Sequence, residues 1–433
     1  MIRQKQVWPW MIAAIGFVAL VAAAGFRATP GALVEPLRDE FGWSTGIIGL
    51  AMSVNLALYG ITAPFASALM ERFGVRKVAA AAMALIALGS GLTVFMNASW
   101  QLVMLWGVLI GLGAGSISLG FVATIGTRWF VKRQGLVTGV LTAGAATGSL
   151  IFLPLVAKLS ETPGGWRTAA VVVSLVALST VPLILLFFRE HPADLGIPPF
   201  GADEIVPPPP PTRSAARLTI DGLKTASRSK AFWSLAAAFA ICGATSNGLV
   251  ATHFIPAAHD HGMVAVTAAG LLALIGVFDL IGTVLSGWLS DRYDSRKLLA
   301  IYYVLRGVSL LILPQLFDDK VTGFMLVFVI LFGLDFIATV PPTVALCRDH
   351  FGMSAPIVFG WIFAAHQIGA AIAATAAGMT RDGFGTYAPA WYVAGALCMG
   401  AAYLSLRMKR SAVEEPPLAK PAPAEPAGPS ARV

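Results

Sequence analysis

The sequence predicts an all-α membrane protein in which twelve transmembrane helices form two pseudo-symmetric bundles of six. Its 433 residues are 57% hydrophobic and 12% charged, whereas soluble domains are roughly half apolar and about a quarter charged. The apolar runs fall into two groups of six, because one long hydrophilic interval divides them. A charged segment at residues 67–77 also recurs 220 residues later, at 287–297.

Each apolar run is about 20 residues or longer, which is enough to cross a bilayer core as a helix. The first group is 8–34, 45–68, 77–97, 101–127, 135–158 and 167–188. The second group is 232–256, 264–289, 298–317, 321–346, 355–379 and 387–407. We therefore expect an N-terminal bundle over residues 1–190 and a C-terminal bundle over 231–408. The first run is expected to stay uncleaved, since it is longer than a signal-peptide core and lacks a small-residue cleavage site.

The hydrophilic interval, residues 191–230, is predicted to be a cytoplasmic, proline-rich loop between the bundles. It contains five consecutive prolines, which favour an extended polyproline conformation over a helix. Residues 221–230 could form a short helix on the membrane surface. The tail, residues 409–433, is rich in proline and alanine, a composition typical of disorder.

The distribution of basic residues predicts a multi-pass protein of the plasma membrane, in bacteria the inner membrane, with both termini in the cytoplasm. Most of the 30 lysines and arginines fall in cytoplasmic segments when the N-terminus is placed inside, as the positive-inside rule requires. Those expected outside are Arg38, Lys158, Arg167, Lys320 and Arg381. The net charge of +8 is thus a topology signal, and no nucleic-acid partner is expected.

The repeated charged segment joins the second and third spans of each half. The C-terminal copy reads GWLSDRYDSRK and the N-terminal copy SALMERFGVRK. They resemble the loop signature of the major facilitator superfamily, Gly-x-x-x-Asp-Arg-x-Gly-x-Arg-Lys/Arg. Asp294 replaces the second glycine in one copy, and Ser67 and Glu71 replace the first glycine and the aspartate in the other. The resemblance implies the major facilitator fold and transport by alternating access.

These charges are expected to form a conformational latch between the bundles. A carboxylate beside arginines at a helix end can bond a neighbouring helix end in one conformation and release it in another. The alternative is that the charges only set topology. The candidate latch residues are Glu71, Arg72, Arg76, Asp291, Arg292 and Arg296.

Span five carries a glycine series that resembles the bending helix at the bundle interface of this superfamily. Small residues allow helix backbones to approach closely where the bundles rock. Packing within one bundle would favour the same residues. The series is Gly135, Gly139, Gly144 and Gly148, followed by Pro154.

Five ionisable residues lie within the predicted spans, where charges are costly and usually functional. They are Arg27, Asp279, Arg306, Asp335 and His366. At about 1.5 Å per helical residue, Arg306 and Asp335 differ in depth by roughly 6 Å, within the reach of an arginine. Whether this pair is structural or part of a binding site is left open.

Two segments resemble the monocarboxylate transporters and oxalate/formate antiporters within the superfamily. GVFDLIG, around Asp279, resembles their eighth span, where an aspartate takes the coupling proton and an arginine one turn later binds the substrate carboxylate. Thr283 occupies that later position here. Residues 25–44 resemble their first span, with Arg27 near a proline and Ser44 as the cap of helix two.

This resemblance implies transport of a small organic monocarboxylate coupled to protons, and no cofactor. Asp279 or Asp335 would carry the proton, because burial in apolar surroundings favours the neutral form of a carboxylic acid. The protein is expected to act as a monomer in the bilayer. The candidate substrate-binding residues are Arg27, Arg306, His366, Gln367 and Asn247.

Two other functions are compatible with the sequence. The same carboxylates could attract a cationic drug for proton-coupled efflux, although Arg27 would repel it. A non-transporting sensor or scaffold could recruit partners through the basic loop 213–230 and the proline-rich tail. An enzyme is not expected, since no GxxxxGK[ST], HExxH, CxxC or GxSxG motif is present.

Two further groups of residues could suggest a metal site or disulfides. Three cysteines lie in or at the ends of apolar runs, where neither a disulfide framework nor a metal centre is expected. A histidine-rich segment on the predicted outer side could bind a metal or sense pH, but a solvated loop is the simpler interpretation. The cysteines are Cys242, Cys347 and Cys398, and the segment contains His253, His259, Asp260 and His261.

Overall fold

The computed structural model describes residues 7–43, 45–160, 164–205 and 214–409. This part of the chain is almost entirely helical, apart from one isolated β-bridge between Phe130 and Phe200. It contains 11 helical stretches long and apolar enough to cross a membrane. One of them, Gly323–Phe384, has 62 residues, about three times the length that a bilayer core requires. The chain turns at Gly352, whose φ is 52°, so this stretch forms two spans.

Twelve spans, labelled α1 to α12, therefore lie within the described residues, as predicted. The N-terminal bundle consists of α1 (Val7–Phe41), α2 (Thr45–Phe73), α3 (Val75–Leu92), α4 (Ser99–Trp129), α5 (Gln134–Leu159) and α6 (Gly165–Phe187). The C-terminal bundle consists of α7 (Lys230–Asp260), α8 (Ala265–Ser290), α9 (Ser295–Ile312), α10 (323–351), α11 (Ala355–Phe384) and α12 (Ala388–Arg407). The apolar runs of the sequence predicted these helices, because a segment that crosses a bilayer must be apolar and must satisfy its own backbone hydrogen bonds.

The outer surface of the bundles is apolar, as a lipid-facing surface must be. On α6, Leu175 and Leu186 are exposed, whereas Ala169 and Ala177 are buried on the opposite face. Contiguous exposed apolar surface of this kind is unusual in soluble proteins. Large side chains facing outward and small ones facing inward let the helices approach one another while remaining soluble in lipid.

Three spans contain departures from regular α-helix. Both α4 and α7 contain π-helical turns, at Val103–Ile110 and Ala244–Val250, and α4 is interrupted again at residues 117–118. Helix α10 consists of two helices, Gly323–Asp335 and Val340–Phe351, separated by four residues in a turn. Because α4 and α10 are the fourth helices of their bundles, the interruptions follow the pseudo-symmetry.

The two bundles meet along α5 with α8 and along α2 with α11. We call the membrane face at which α1 begins and α12 ends the terminal side. Among the described residues, α5 and α8 approach closely on this side. A Cβ on Gly287 would meet the backbone of Gly135, and a Cβ on Gly139 would meet the backbone of Thr283. This backbone contact requires glycine.

The glycine series of α5 is divided between two neighbours. Gly135 and Gly139 face α8 across the bundle interface, whereas Gly144 packs on Phe17 and Gly148 on Val21, both in α1. Packing within the N-terminal bundle therefore accounts for the second pair. The expected position at the bundle interface therefore applies to Gly135 and Gly139.

A helix in the inter-bundle segment crosses the interface between the bundles. It spans Ala215–Ala226, earlier than the predicted 221–230, because Ser214 caps it by accepting from the Arg217 N–H. Thr219 donates to the Pro64 carbonyl of α2 at 3.5 Å, and Trp361 of α11 donates to the Thr219 carbonyl at 3.2 Å.

Three predicted features lie outside the described residues. They are the cap residue Ser44, the proline run of the inter-bundle segment, and the tail beyond Lys409.

Candidate functional site

A cavity of about 60 Å³ lies between the two bundles. It is lined by α1, α2, α4 and α5 from one bundle and by α7, α10 and α11 from the other. This volume accommodates a few water molecules or a small polar ligand. The wall is mostly apolar, with contributions from Leu20, Val122 and Phe363. A ligand in this cavity would contact both bundles.

Three polar atoms on the cavity wall have no hydrogen-bond partner within the described residues. They are the Ser118 Oγ, the Thr142 Oγ1 and the His366 Nδ1. Their residues are 2%, 3% and 7% exposed. Buried polar groups are normally hydrogen-bonded, and leaving one unpaired costs about 1–3 kcal/mol. These three residues therefore have hydrogen-bonding capacity that their neighbours within the described residues leave unused.

Several predicted substrate-binding residues lie on the cavity wall. Asn247 of α7 and His366 and Gln367 of α11 all line it. Arg27 belongs to α1, near the lining residues Ala23 and Ala24, but its side chain lies outside the described residues. Sequence reasoning missed Ser118 and Thr142, because single hydroxyl residues in apolar helices are common and carry no distinctive pattern.

Arg306 lies behind this wall, in contact with the interruption of α10. Its Nε donates to the Asp335 Oδ2 at 2.7 Å, and its Nη2 donates to the carbonyls of Asp335 and Phe336 at 2.5 and 3.0 Å. Its Nη1 lies 3.0 Å from the Cys242 Sγ. Carbonyls at a helix C-terminus attract cations, so Arg306 caps the first half of α10.

Asp279 binds the same interruption from α8. Its Oδ1 accepts from the Ile337 N–H at 3.0 Å and from the Thr283 hydroxyl at 2.9 Å. Ser286, two turns further along α8, donates to the Ala338 carbonyl at 2.5 Å. The sequence does hold a signal for this interruption, since Pro341 and Pro342 begin the second half of α10 and proline removes a helical hydrogen bond.

The location of Arg306 and Asp335 bears on whether the pair is structural or part of a binding site. Arg306 is fully buried and Asp335 is 3% exposed, and neither is among the residues that line the cavity. Cys242, which contacts Arg306, does line it. This arrangement favours a structural role for the pair over direct substrate binding.

The candidate latch residues make different kinds of contact in the two copies of the motif. Asp291 accepts from the backbone N–H groups of Gly135 and Leu136 at 2.7 and 2.9 Å, which caps α5 of the other bundle. Nearby, Arg348 donates to the Gln134 side chain, also across the interface. A carboxylate at a helix N-terminus is stabilised by the helix dipole.

The N-terminal copy bonds within its own bundle. Glu71 pairs with Arg128 at 2.6 Å, and the Arg76 N–H donates to Glu190 at 3.2 Å. Gly74 has a φ of 91°, whereas the equivalent Asp294 has a φ of −60° and caps α9 instead. The C-terminal copy therefore has Asp294 in place of the second glycine of the signature because its turn does not require a positive φ at this position.

The arginines of the two copies have local partners in this structure. The Arg72 guanidinium lies 4.8 Å from the Phe73 ring, and Arg292 lies 3.8 Å from the Trp288 ring. Arg296 pairs with Asp294 at 2.6 Å and donates to the Met408 carbonyl at 2.8 Å. These contacts lie within one bundle.

The histidine-rich segment does not form a metal-type cluster in the described residues. His253 is buried and lies 2.8 Å from the Ala374 carbonyl, while His261 stacks on Phe317. Asp260 pairs with Arg381 at 2.6 Å. The interpretation as a solvated loop is therefore wrong for His253, which packs inside the bundle because α7 extends to Asp260.

The sequence profile of the Major Facilitator Superfamily matches residues 15–374 and 278–432. The chain belongs to this superfamily. Two solved structures have the same fold. The proton:xylose symporter XylE bound to 6-bromo-6-deoxy-D-glucose superposes with a TM-score of 0.71 at 17% identity, over 93% of this chain and 96% of that one. FucP in the outward conformation has a TM-score of 0.64 at 18% identity, over 92% and 98%.

The chain is similar over most of its length to MFS-type and monocarboxylate transporters. The uncharacterized MFS-type transporter YcxA of Bacillus subtilis (strain 168) is 25% identical, over 86% of this chain and 88% of its own length. Monocarboxylate transporter 11 of Homo sapiens is 25% identical, over 93% and 83%. The protein is a multi-pass integral membrane transporter that resembles the monocarboxylate transporter branch.

Proposed function

We propose that this transporter moves a small organic monocarboxylate, coupled to protons, by alternating access. The observation that carries the proposal is that Ser118, Thr142 and His366 line one cavity between the bundles, and each has a buried polar atom without a hydrogen-bond partner within the described residues. Hydroxyl groups and a protonated imidazole nitrogen can all donate hydrogen bonds. A carboxylate accepts several such bonds at once, which a cationic drug does not.

The rest of the cavity suits the same ligand class. Apolar walls with a few polar groups are typical of sites for small organic molecules, and Arg27 would supply a positive charge from α1. Asp279 would carry the proton. We keep the proposal that the protein functions as a monomer. The excess of basic residues on the terminal side supports a plasma-membrane protein with cytoplasmic termini.

The proposal is tested by proton movement into liposomes that contain the purified protein and an internal pH dye. Lactate, pyruvate, formate, oxalate and two cationic drugs are supplied outside, with protein-free liposomes to measure passive entry of the acids. We expect a monocarboxylate to acidify the interior and Asp279→Asn to abolish this. The exposed carboxylate Asp318 provides the control variant Asp318→Asn, which should behave as wild type.

The binding site is tested in the same liposomes by a valine substitution. Thr142→Val preserves shape but removes a donor worth about 1 kcal/mol, so the half-saturating acid concentration should rise roughly fivefold. Thr147 lies on the same helix and donates to the Ala143 carbonyl, so Thr147→Val should change little. Proton release driven only by a cationic drug, with no response to any acid, would overturn the substrate assignment.

A further inference from the structure

Part of the cavity wall comes from a segment that interrupts a helix. Residues 336–339 form the turn between the two halves of α10, and Phe336, Ile337 and Val340 line the cavity. Backbone groups in such an interruption lose their helical partners. In a membrane protein they must be satisfied by other groups.

Three side chains of α8 and α9 bind the backbone of this turn from behind, and Cys242 of α7 contacts the Thr339 side chain at 3.1 Å. Asp279 accepts from the Ile337 N–H, Ser286 donates to the Ala338 carbonyl, and Arg306 donates to the Asp335 and Phe336 carbonyls. These hydrogen bonds therefore fix the backbone at four consecutive residues, 335–338. The three side chains that bind this backbone do not themselves line the cavity.

Of the three side chains that bind the backbone of the turn, only that of Asp279 can change its charge under ordinary conditions. Arginine stays protonated in proteins and serine is neutral. Asp279 can be a carboxylate or an acid. A hydrogen bond from a backbone N–H to a carboxylate is roughly twice as strong as one to a neutral acceptor. Gain of a proton by Asp279 therefore weakens the contact with Ile337 and leaves the other two intact.

The charged and titratable groups that face Asp279 do not offset this change. Arg306 of α9 is already paired with Asp335 of α10, and Cys242 of α7 contacts the same guanidinium. Helix α5, which packs on α8, has no titratable side chain between Gln134 and Lys158. Protonation of Asp279 thus removes one net charge from this buried group.

We infer that Asp279 is a positioning residue, which holds the cavity wall through the Ile337 N–H and releases it when it takes up a proton. Proton coupling would then act on the shape of the substrate site through the α10 backbone, without contact between Asp279 and the substrate. The inference rests on the proposed proton coupling and specifies how protonation of Asp279 affects the substrate site.

Amide hydrogen exchange of the purified full-length protein tests this without substrate. Exchange is measured by mass spectrometry in peptides covering residues 332–342, from pH 8 to pH 5, after correction for the intrinsic pH dependence of exchange. In the wild type we expect protection of this segment to fall at least tenfold as pH decreases. In Asp279→Asn, which keeps a neutral acceptor, protection should be low at every pH.

Ser286→Ala provides the matched control, because it removes a neutral contact to the same turn. Its protection should be lower than in the wild type by a similar factor at every pH, with the pH dependence retained. Peptides from α12 serve as the internal check that each variant is folded. A wild-type segment whose protection does not depend on pH, or an Asp279→Asn variant that keeps the dependence, would overturn the inference.

The two proposals can fail separately. If Asp279→Asn abolishes proton flux while exchange of residues 332–342 is unaffected by pH, Asp279 carries the proton and the inference about the wall is wrong. If exchange responds as expected but no acid drives flux, the inference holds and the substrate assignment fails.

Discussion

At the scale of single residues, the side chain of Arg306 makes an extensive set of bonds at membrane depth. It is fully buried and contacts a carboxylate, two backbone carbonyls and a thiol. An isolated charge would be intolerable there, but a pair with additional hydrogen bonds is tolerated. These contacts favour a structural role, because the guanidinium binds backbone carbonyls that the interruption of α10 leaves without helical partners.

Removal of one member of this pair should therefore be costly for folding. Arg306→Met leaves the Asp335 carboxylate and two carbonyls without their partner, and breaking a buried pair typically costs about 3–5 kcal/mol. We expect a marked drop in the thermal unfolding midpoint in detergent. The double variant Arg306→Met/Asp335→Asn should recover part of it, since no buried charge then remains unpaired.

A midpoint that stays unchanged in Arg306→Met, together with a large rise in the half-saturating substrate concentration, would contradict the structural role. Arg306 would then act on the substrate instead. Unfolding is followed by fluorescence of the native tryptophans, so the measurement needs no ligand.

At the scale of helices, the pairing of α5 with α8 depends on backbone contact. Gly287 and Gly135 face each other so closely that neither can carry a Cβ without displacement of the other helix. The Asp291 carboxylate, one turn beyond Gly287, caps α5 at the same place. Close approach and capping therefore reinforce each other, because the cap is within reach only when the glycines are in contact.

Gly287→Ala should open this contact on the terminal side. Inserting atoms into a packed interface costs about 1–3 kcal/mol, which favours the opposite state of the transporter roughly 5- to 150-fold. Spin labels on Lys132→Cys and Tyr293→Cys, both exposed and in different bundles, report the separation by pulsed electron paramagnetic resonance. The native cysteines are buried.

Gly276→Ala is the matched control on the same helix. A Cβ there would come no closer than 3.9 Å to the Leu150 Cδ2, so the distance distribution should remain that of the wild type. Equal distributions for Gly287→Ala and the wild type would show that the α5 and α8 contact does not limit opening.

At the scale of the whole molecule, polar contacts between the bundles lie on the terminal side in the described residues. Asp291 reaches α5, Arg348 reaches Gln134, and Thr219 connects the inter-bundle helix to α2. On the opposite side, the ion pairs Glu40 with Arg167 and Asp260 with Arg381 each stay within one bundle. The molecule is therefore closed on the terminal side.

Asp291→Ala should shift this balance away from the terminal-closed state. Loss of an N-cap costs about 0.5–2 kcal/mol, so a loss near 1 kcal/mol changes the populations roughly fivefold. Asp291→Asn should have a smaller effect, since asparagine also caps helices well. The same pair of spin labels measures the populations.

The N-terminal copy of the motif supplies the comparison. Glu71 pairs with Arg128 inside its own bundle, so Glu71→Ala should leave the distances between the labels unchanged. A shift in Glu71→Ala as large as that in Asp291→Ala would indicate that both copies act as latches.

The sequence by itself determined the twelve helices, their order and their division into two groups of six, because crossing a bilayer imposes length and apolarity on each span independently. It also placed Arg306 and Asp335 at similar depth, since helical rise is constant. What the tertiary structure decided is which atoms meet. The partners of Asp279, the division of the α5 glycines between α1 and α8, and the position of Ser118, Thr142 and His366 on the wall of one cavity depend on how the helices are rotated and where they are interrupted. Those rotations are set by packing between helices far apart in the chain, which a pattern along one helix does not encode.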